Sequence, residues 1–298
     1  MKDLIMKDKI NKHHLYGTYF PVVVFLLVNF TITSKSIGQV FGNLIESNIQ
    51  STVIINTGVT EGSAILVRDT SRIFLVTAKH CLYKSLDNDS IFISNTAEIT
   101  FYSKNFKDDK QNYILLDLSQ LRKNNLLRSD KHLDICVVNI AKVDSGGGIK
   151  YNDGVHRMGQ SVKYDQYYLS DESIVRKKDI FLGENIFLVG FPGSLGLKQI
   201  PQFDYEMPLL KRGAIASTSN KYNTIIIDCP VYHGNSGGPV FLERINFESY
   251  KIRLIGIVVE FIPLIMPTVS QNDLITETSS YAVVVPIEYA LNLMNSFH

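Results

Sequence analysis

The chain is organised as a succession of short apolar runs, rich in β-branched residues and cut apart by Gly, Asp, Asn and Ser. In the first half the runs fall at residues 52–56, 62–67, 72–77, 91–93, 97–101, 113–118 and 133–140. In the second they fall at 186–191, 214–218, 224–228, 240–242, 254–260 and 281–285. Runs of about four to eight such residues between turn formers read as strands. Arg68-Asp69-Thr70-Ser71, between two runs, reads as a hairpin turn. Strands at this spacing with few helical stretches point to an all-β barrel or sandwich fold. A helical period appears only at the end. Residues 286–297 place Ile287, Ala290, Leu291 and Met294 on one face, with Pro286 near the start.

A turn-rich stretch, Asp144-Ser145-Gly146-Gly147-Gly148 followed by Asn152-Asp153-Gly154, divides the runs into two sets. The 298 residues suit two halves of barrel size. A first β-barrel is expected over residues 51–148 and a second, with the C-terminal helix, over 149–298. With 45% hydrophobic and 20% charged residues, a disordered or collagen-like chain is excluded. The 30 Lys+Arg against 29 Asp+Glu leave no basic excess, so no nucleic-acid partner is expected.

That balance is uneven along the chain. Lys2, Lys7, Lys9 and Lys12 precede an apolar stretch over residues 19–30, which gives way to small and polar residues 31–36. These are the parts of a secretory signal peptide. The apolar stretch is shorter than the ~20 residues of a spanning helix. Cleavage after Ser36 would remove residues 1–36 and leave 262, with the formal charge falling from +1 to −2. Residues 37–50 then form a short N-terminal segment. The protein is expected to be exported, periplasmic or secreted. Membrane attachment is expected only if residues 15–33 stay uncleaved as an anchor. Cys81, Cys136 and Cys229 are too few for a disulfide scaffold or a Cys-rich zinc site. Each reads as a small buried hydrophobe.

The sharpest local signal is Gly234-Asn235-Ser236-Gly237-Gly238-Pro239. Glycines allow a tight turn and close backbone approach. The N–H groups of Gly234 and Ser236 can then converge on a developing oxyanion. Gly234-x-Ser236-x-Gly238 also fits the nucleophile elbow of α/β-hydrolases, in which the catalytic His follows the Ser. Here only His298 lies beyond Ser236, so a base must come from upstream. His80 leaves the 72–77 strand in Val76-Thr77-Ala78-Lys79-His80-Cys81-Leu82, a rigid mount for a general base. Asp134 is the odd residue in Leu133-Asp134-Ile135-Cys136-Val137-Val138, and a buried carboxylate needs a partner such as a His N–H. Asp130, in Ser-Asp-Lys, is a weaker candidate.

Other groups fit less chemistry. His132 and His156 have no set of partners at ligand spacing, so no metal is expected. The loop from Asp144 to Asp153 makes a poor Ca²⁺ cage. Gly190-Phe191-Pro192-Gly193 lacks the Gly-Lys-Ser/Thr of a phosphate loop. No cofactor is expected.

Thr-Ala-x-His-Cys at His80, Asp134 before an apolar strand, and Gly-x-Ser-Gly-Gly-Pro at Ser236, in that order, resemble the trypsin/chymotrypsin-like serine peptidases. The resemblance covers roughly residues 50–297. The Gly190–Gly193 turn and terminal helix resemble the bacterial branch, including the high-temperature-requirement type. The resemblance implies two six-stranded antiparallel barrels with the site between them. It implies Ser236 as nucleophile, His80 as general acid/base, Asp134 orienting His80, and Gly234 and Ser236 amides as the oxyanion hole. Polypeptides are the implied substrate. It leaves as alternatives a non-catalytic binding relative and an esterase using the same site.

The departures also carry expectations. Digestive relatives carry Asp before the nucleophile, which receives a freshly cut N-terminus, whereas this chain has Asn235 and no such start. The partner strand Gly62-Ser63-Ala64 has no Cys, so the family's disulfide at Cys81 is expected to be absent. High-temperature-requirement relatives carry a peptide-binding module after the catalytic domain, and none is expected here. The specificity pocket is expected near Pro230 and Val231, with His233 at substrate and a wall formed by Val258, Val259, Glu260 and Phe261. The base holds no acid for Lys or Arg, and Val231 and Val258 imply a small or medium apolar side chain before the cut bond.

Overall fold

The structure, a computed structural model, describes residues 48–87, 91–102, 111–158, 169–170, 173–193, 199–200, 202, 204, 207–246, 249–267 and 274–297. The expected signal segment, residues 1–36, lies outside them. Among the described residues no helix is long and apolar enough to cross a membrane.

The first half is built from β1 (Thr52–Asn56), β2 (Glu61–Arg68), β3 (Arg72–Thr77), β4 (Thr96–Tyr102), β5 (Gln111–Asp117), β6 (Leu127–Ser129), β7 (Cys136–Val143), β8 (Ile149–Tyr151), β9 (Val155–Met158) and β10 (Leu169–Ser170). They form one sheet in the order β6-β7-β3-β2-β1-β4-β5-β9, with β8 on β7 and β10 parallel to β2. The second half contains β11 (Asn185–Gly190), β12 (Leu209–Ser219), β13 (Thr224–Asp228), β14 (Pro239–Asn246), β15 (Ser249–Pro267) and β16 (Leu274–Pro286). These close into a barrel, β11-β12-β13-β16-β15-β14, through the pairing of β14 with β11.

The fold is therefore mostly β and chymotrypsin-like, with one difference in detail from two equal six-stranded barrels. The first half is a curled ten-stranded sheet whose end strands, β6 and β9, do not pair with each other among the described residues. The additional strands β8 and β9 follow the glycine-rich stretch after Val143 and expose most of their side chains. They carry too few apolar residues to announce themselves by alternation. Asp144 makes the turn before them, its carboxylate accepting the amides of Gly146 and Gly148.

Strand formation follows side-chain chemistry. β3, Arg-Ile-Phe-Leu-Val-Thr, is apolar throughout and buried from Ile73 to Thr77. It lies between β2 and β7, with no free edge, and burial of successive residues shows that both its faces are covered. The turn preceding it is made by Asp69, whose carboxylate accepts the amides of Ser71 and Arg72 and pairs with the Arg72 guanidinium at 2.8 Å. In the barrel, Ile186, Leu188, Ile215, Ile225, Ile227, Val240, Leu242, Ile255, Val258 and Val284 form one buried cluster. Burying each such side chain contributes about 1.5–3 kcal/mol.

Helices lie beside the strands. α1 (Leu118–Lys123), which the apolar pattern does not predict, starts at Asp117, whose side chain caps the Gln120 amide. α2 (Ile287–Asn295) buries Ile287, Ala290 and Met294, as its period implies, while Leu291 stays half-buried. It packs on β7 of the sheet and on β15 and β16 of the barrel, strapping the two halves together. Beyond it Phe297 stacks on Phe74 at 5.7 Å and its carbonyl accepts Arg72 Nη1 at 2.8 Å.

Candidate active site

The His–Asp pair follows from sheet register. Thr77 of β3 faces Cys136 of the antiparallel β7. Residues just after Thr77 and just before Cys136 therefore emerge at the same end of the sheet. His80 sits there on a single 3₁₀ turn, Lys79–Cys81, and Asp134 in the turn entering β7. The predicted strand over 133–140 thus begins only at Cys136, and Asp134 is a turn residue. His80 Nδ1 lies 2.6 Å from Asp134 Oδ2, and the His80 backbone N–H donates to Oδ1 at 3.0 Å. Both carboxylate oxygens are engaged. This directs the unbonded Nε2 outward, with the His80 side chain 39% exposed and Asp134 13% exposed.

Neighbouring residues build the mount. Lys79 is buried and its ammonium donates to the carbonyls of Leu86 and Asp130. Asp130, weighed as an alternative carboxylate, makes the turn instead: its Oδ1 accepts the amides of His132 and Leu133. His132 and His156 are exposed, and among the described residues no group of His, Cys, Asp or Glu is arranged to hold a metal.

Ser236 is brought to this end by backbone clamps. Its carbonyl accepts the Ser63 amide at 2.8 Å, and Cys81 Sγ, one residue after His80, lies 3.6 Å from the same oxygen. The Gly237 amide donates to Val258 O at 2.7 Å and the Val258 amide to Gly238 O at 2.9 Å. Gly237 has φ +83°, and a Cβ there would run into Ser63 O and Thr77 Oγ1. The Asn235 amide donates to Tyr232 O at 3.0 Å, and Gly234 has φ +95°. This is a type II turn, whose third residue needs positive φ. Among the described residues the Gly234 and Ser236 amides donate to no protein acceptor, leaving both for an incoming oxygen.

Several positioning groups escape a reading of the sequence. Ser63 is fully buried in β2. Its hydroxyl donates to Gly234 O at 2.7 Å and accepts the Phe191 amide at 3.0 Å, while Thr77 Oγ1 donates to Ser63 O at 2.7 Å. A polar residue in the apolar run 62–67 was the available signal. Lys211 of β12 reaches Asn235 Oδ1 at 3.1 Å, and nothing around it in sequence marks it.

Of the expected pocket residues, Val231, Val258 and Val259 are buried. Val231 and Val258 belong to the barrel's apolar cluster, against which half-buried Phe261 packs. His233 is exposed and meets the Phe261 ring edge-on at 5.5 Å. Glu260 is exposed. Cys81, Cys136 and Cys229 are all buried and in no disulfide. Burial pushes Cys81 up to about 12 and Cys229 up to about 11, so both stay protonated. Gly62 lies so close that a Cβ there would stand 2.7 Å from Cys81 Sγ.

A family profile described as the trypsin-like peptidase domain matches residues 62–246, which contain His80, Asp134 and Ser236. The chain belongs to the trypsin-like peptidase family. Comparison with curated proteins finds no match. Among solved structures, the HtrA-type protease AlgW bound to a tripeptide is 16% identical, with TM-score 0.49 over 86% of this chain and 62% of that one. The chain thus spans under two-thirds of that protein's length. The inactive form of the Rv3671c protease from M. tuberculosis H37Rv is 12% identical, with TM-score 0.44 over 85% and 91%. The thermostable serine protease AL20 from an extremophilic microorganism is 14% identical, with TM-score 0.48 over 84% and 97%.

Proposed function

We propose that this protein is an exported serine endopeptidase working through His80, Asp134 and Ser236. The observation that carries the reading is the grip of Asp134 on His80, both through Nδ1 at 2.6 Å and through the backbone amide. It fixes Nδ1 as the protonated nitrogen and leaves Nε2 basic. Nε2 takes the Ser236 hydroxyl proton as Oγ adds to the scissile carbonyl. The Gly234 and Ser236 amides receive the oxyanion. His80 then protonates the leaving amine, and the acyl group stays on Ser236 Oγ. A water deprotonated by His80 releases it and returns the proton to Ser236. Asp134 stabilises the transient imidazolium and remains a carboxylate throughout.

Val231 and Val258, with Phe261 packed over the same cluster, support a preference for a small or medium apolar side chain before the cut bond. The basic start and short apolar stretch of residues 1–36 support export.

The test uses protein secreted from an expression host. It is expected to cleave casein and apolar-P1 peptides, to react with a fluorophosphonate, and to lose both with Ser236→Ala. Correctly folded protein that is never labelled overturns the reading. Hydrolysis of esters but not peptides assigns the site to an esterase.

A further inference from the structure

Besides Ser63, a second side chain from another strand holds the loop that presents Gly234 and Ser236. Lys211 of β12 donates from Nζ to Asn235 Oδ1 and to Pro230 O, both at 3.1 Å. The same nitrogen lies 4.0 Å from the centre of the Tyr232 ring. These contacts fall on residues 230, 232 and 235, on both sides of Gly234. Asn235 is fully buried, and its Oδ1 also accepts the Tyr232 amide at 3.1 Å. Its Nδ2 has no acceptor among the described residues. The Asn235 side chain is therefore held through its oxygen alone, by one backbone donor and the Lys211 ammonium.

The conformation at stake is specific. The same four residues can form a type I turn, with the central peptide flipped and Gly234 at negative φ. That flip would turn the Gly234 N–H over and remove one of the two amides proposed for the oxyanion hole. The hydrogen bond closing the turn, Asn235 N–H to Tyr232 O, is compatible with either form. Lys211 ties Pro230 O, the Tyr232 ring and the Asn235 side chain to one ammonium, and so fixes the segments on both sides of the peptide that would flip.

We propose that Lys211 is a positioning residue of the catalytic loop, its ammonium holding the turn at residues 232–235 in the form that directs the Gly234 amide at the substrate oxygen. The proposal rests on the peptidase reading of the same site. It makes the competence of the loop depend on a half-buried cation carried by β12.

A charged group is suited to this task. Charge-assisted hydrogen bonds are roughly twice as strong as neutral ones, and the contact with the ring requires a cation. Burial pulls Lys211 down to about 8. The clamp is therefore charged at neutral pH and discharges in mildly alkaline solution. The groups around it do not compensate. Cys229, at the end of β13, is neutral throughout that range because burial pushes it up to about 11. Tyr232 contributes its ring from the loop. Leu188 of β11 lies opposite Lys211 in register. Asp228 of β13 is exposed and pairs with Ala214. Arg212 lies over the Phe187 ring and approaches Glu243 of β14 at 3.5 Å. Among the described residues no carboxylate pairs with Lys211.

The experiment measures kcat and KM for an apolar-P1 peptide anilide between pH 6 and 10, on full-length protein and variants, with melting curves alongside. Wild-type kcat is expected to fall as pH rises through about 8. Lys211→Met is expected to lower kcat at pH 7 by about 10- to 100-fold, less than loss of an oxyanion donor outright, with KM within about threefold. Lys211→Arg, which does not titrate in this range, is expected to keep activity to pH 10. Asn235→Asp places a carboxylate beside the ammonium and is expected to move the alkaline limb upward. A Lys211→Met protein with wild-type kcat and an unchanged alkaline limb overturns the proposal. If that variant fails to fold, Lys211→Arg decides: an alkaline limb identical to wild type overturns it. Wild-type turnover that survives Ser236→Ala overturns the peptidase reading together with this one. Ser236-dependent turnover indifferent to Lys211 overturns this one alone.

Discussion

The two halves of the site are assembled by different means. His80 and Asp134 stand on neighbouring strands of one sheet, a few residues beyond Thr77 and Cys136, and meet through their own side chains. Ser236 stands on a loop whose shape is imposed from outside: Ser63 and Thr77 from the sheet, Val258 from β15, and Lys211 from β12. The first arrangement is local in the sheet and needs one register. The second needs both halves docked and two glycines at positive φ, Gly234 and Gly237. A pair built on register tolerates change around it. A loop built on borrowed contacts is sensitive to residues that never touch substrate.

The comparison can be broken first on the side of the pair. Asp134→Asn retains the shape but leaves His80 Nδ1 facing an amide that cannot enforce the correct tautomer. We expect kcat to fall by about 10⁴-fold, with a melting curve close to wild type. An activity loss below about tenfold would mean that the pair does not orient the base.

On the side of the loop, Ser63→Ala strips hydrogen bonds from two buried backbone groups, Gly234 O and Phe191 N–H. Each unsatisfied group costs about 1–3 kcal/mol. We expect a destabilisation of that order in urea unfolding together with a kcat loss of about 10- to 100-fold, because Gly234 is freed to turn. Stability loss with full activity in the folded fraction would show that the loop holds itself.

The smallest effect is expected at the thiols. With Cys81, Cys136 and Cys229 buried and outside any disulfide, reducing agent is expected to leave both activity and melting temperature unchanged. Ellman's reagent is expected to react only after unfolding. Cys81 lies beside both His80 and the Ser236 carbonyl, so rapid reaction in the native state would show that the pair and the loop part in solution.

Much of this was legible in residues. β1, β3 and β13 fall where their β-branched runs predict, because each has an apolar centre bounded by polar residues. His80, Asp134 and Ser236 stand out for the reverse reason, as polar groups at the margins of such runs. Elements that lean on neighbours were not legible. β15 and β16 run to 19 and 13 residues, well past their apolar centres, because each supplies the other's hydrogen bonds. α1 begins at Leu118, inside a run that read as strand, because Asp117 caps it. The run at 91–93 yields only a bridge between Phe92 and Tyr83.

The sequence by itself determined the class of fold and singled out His80, Asp134 and Ser236 as the candidates for its chemistry. These depend on local periodicity, turn formers and the cost of burying a polar group. Tertiary structure alone decided that, among the described residues, the end strands of the first sheet do not pair while those of the second close a barrel, since closure is a matter of which edges meet. It alone decided what holds the Gly234 turn. Ser63 and Lys211 are ordinary residues in their strands, and they act on the loop only because folding brings chain segments far apart in sequence within about 3 Å of it.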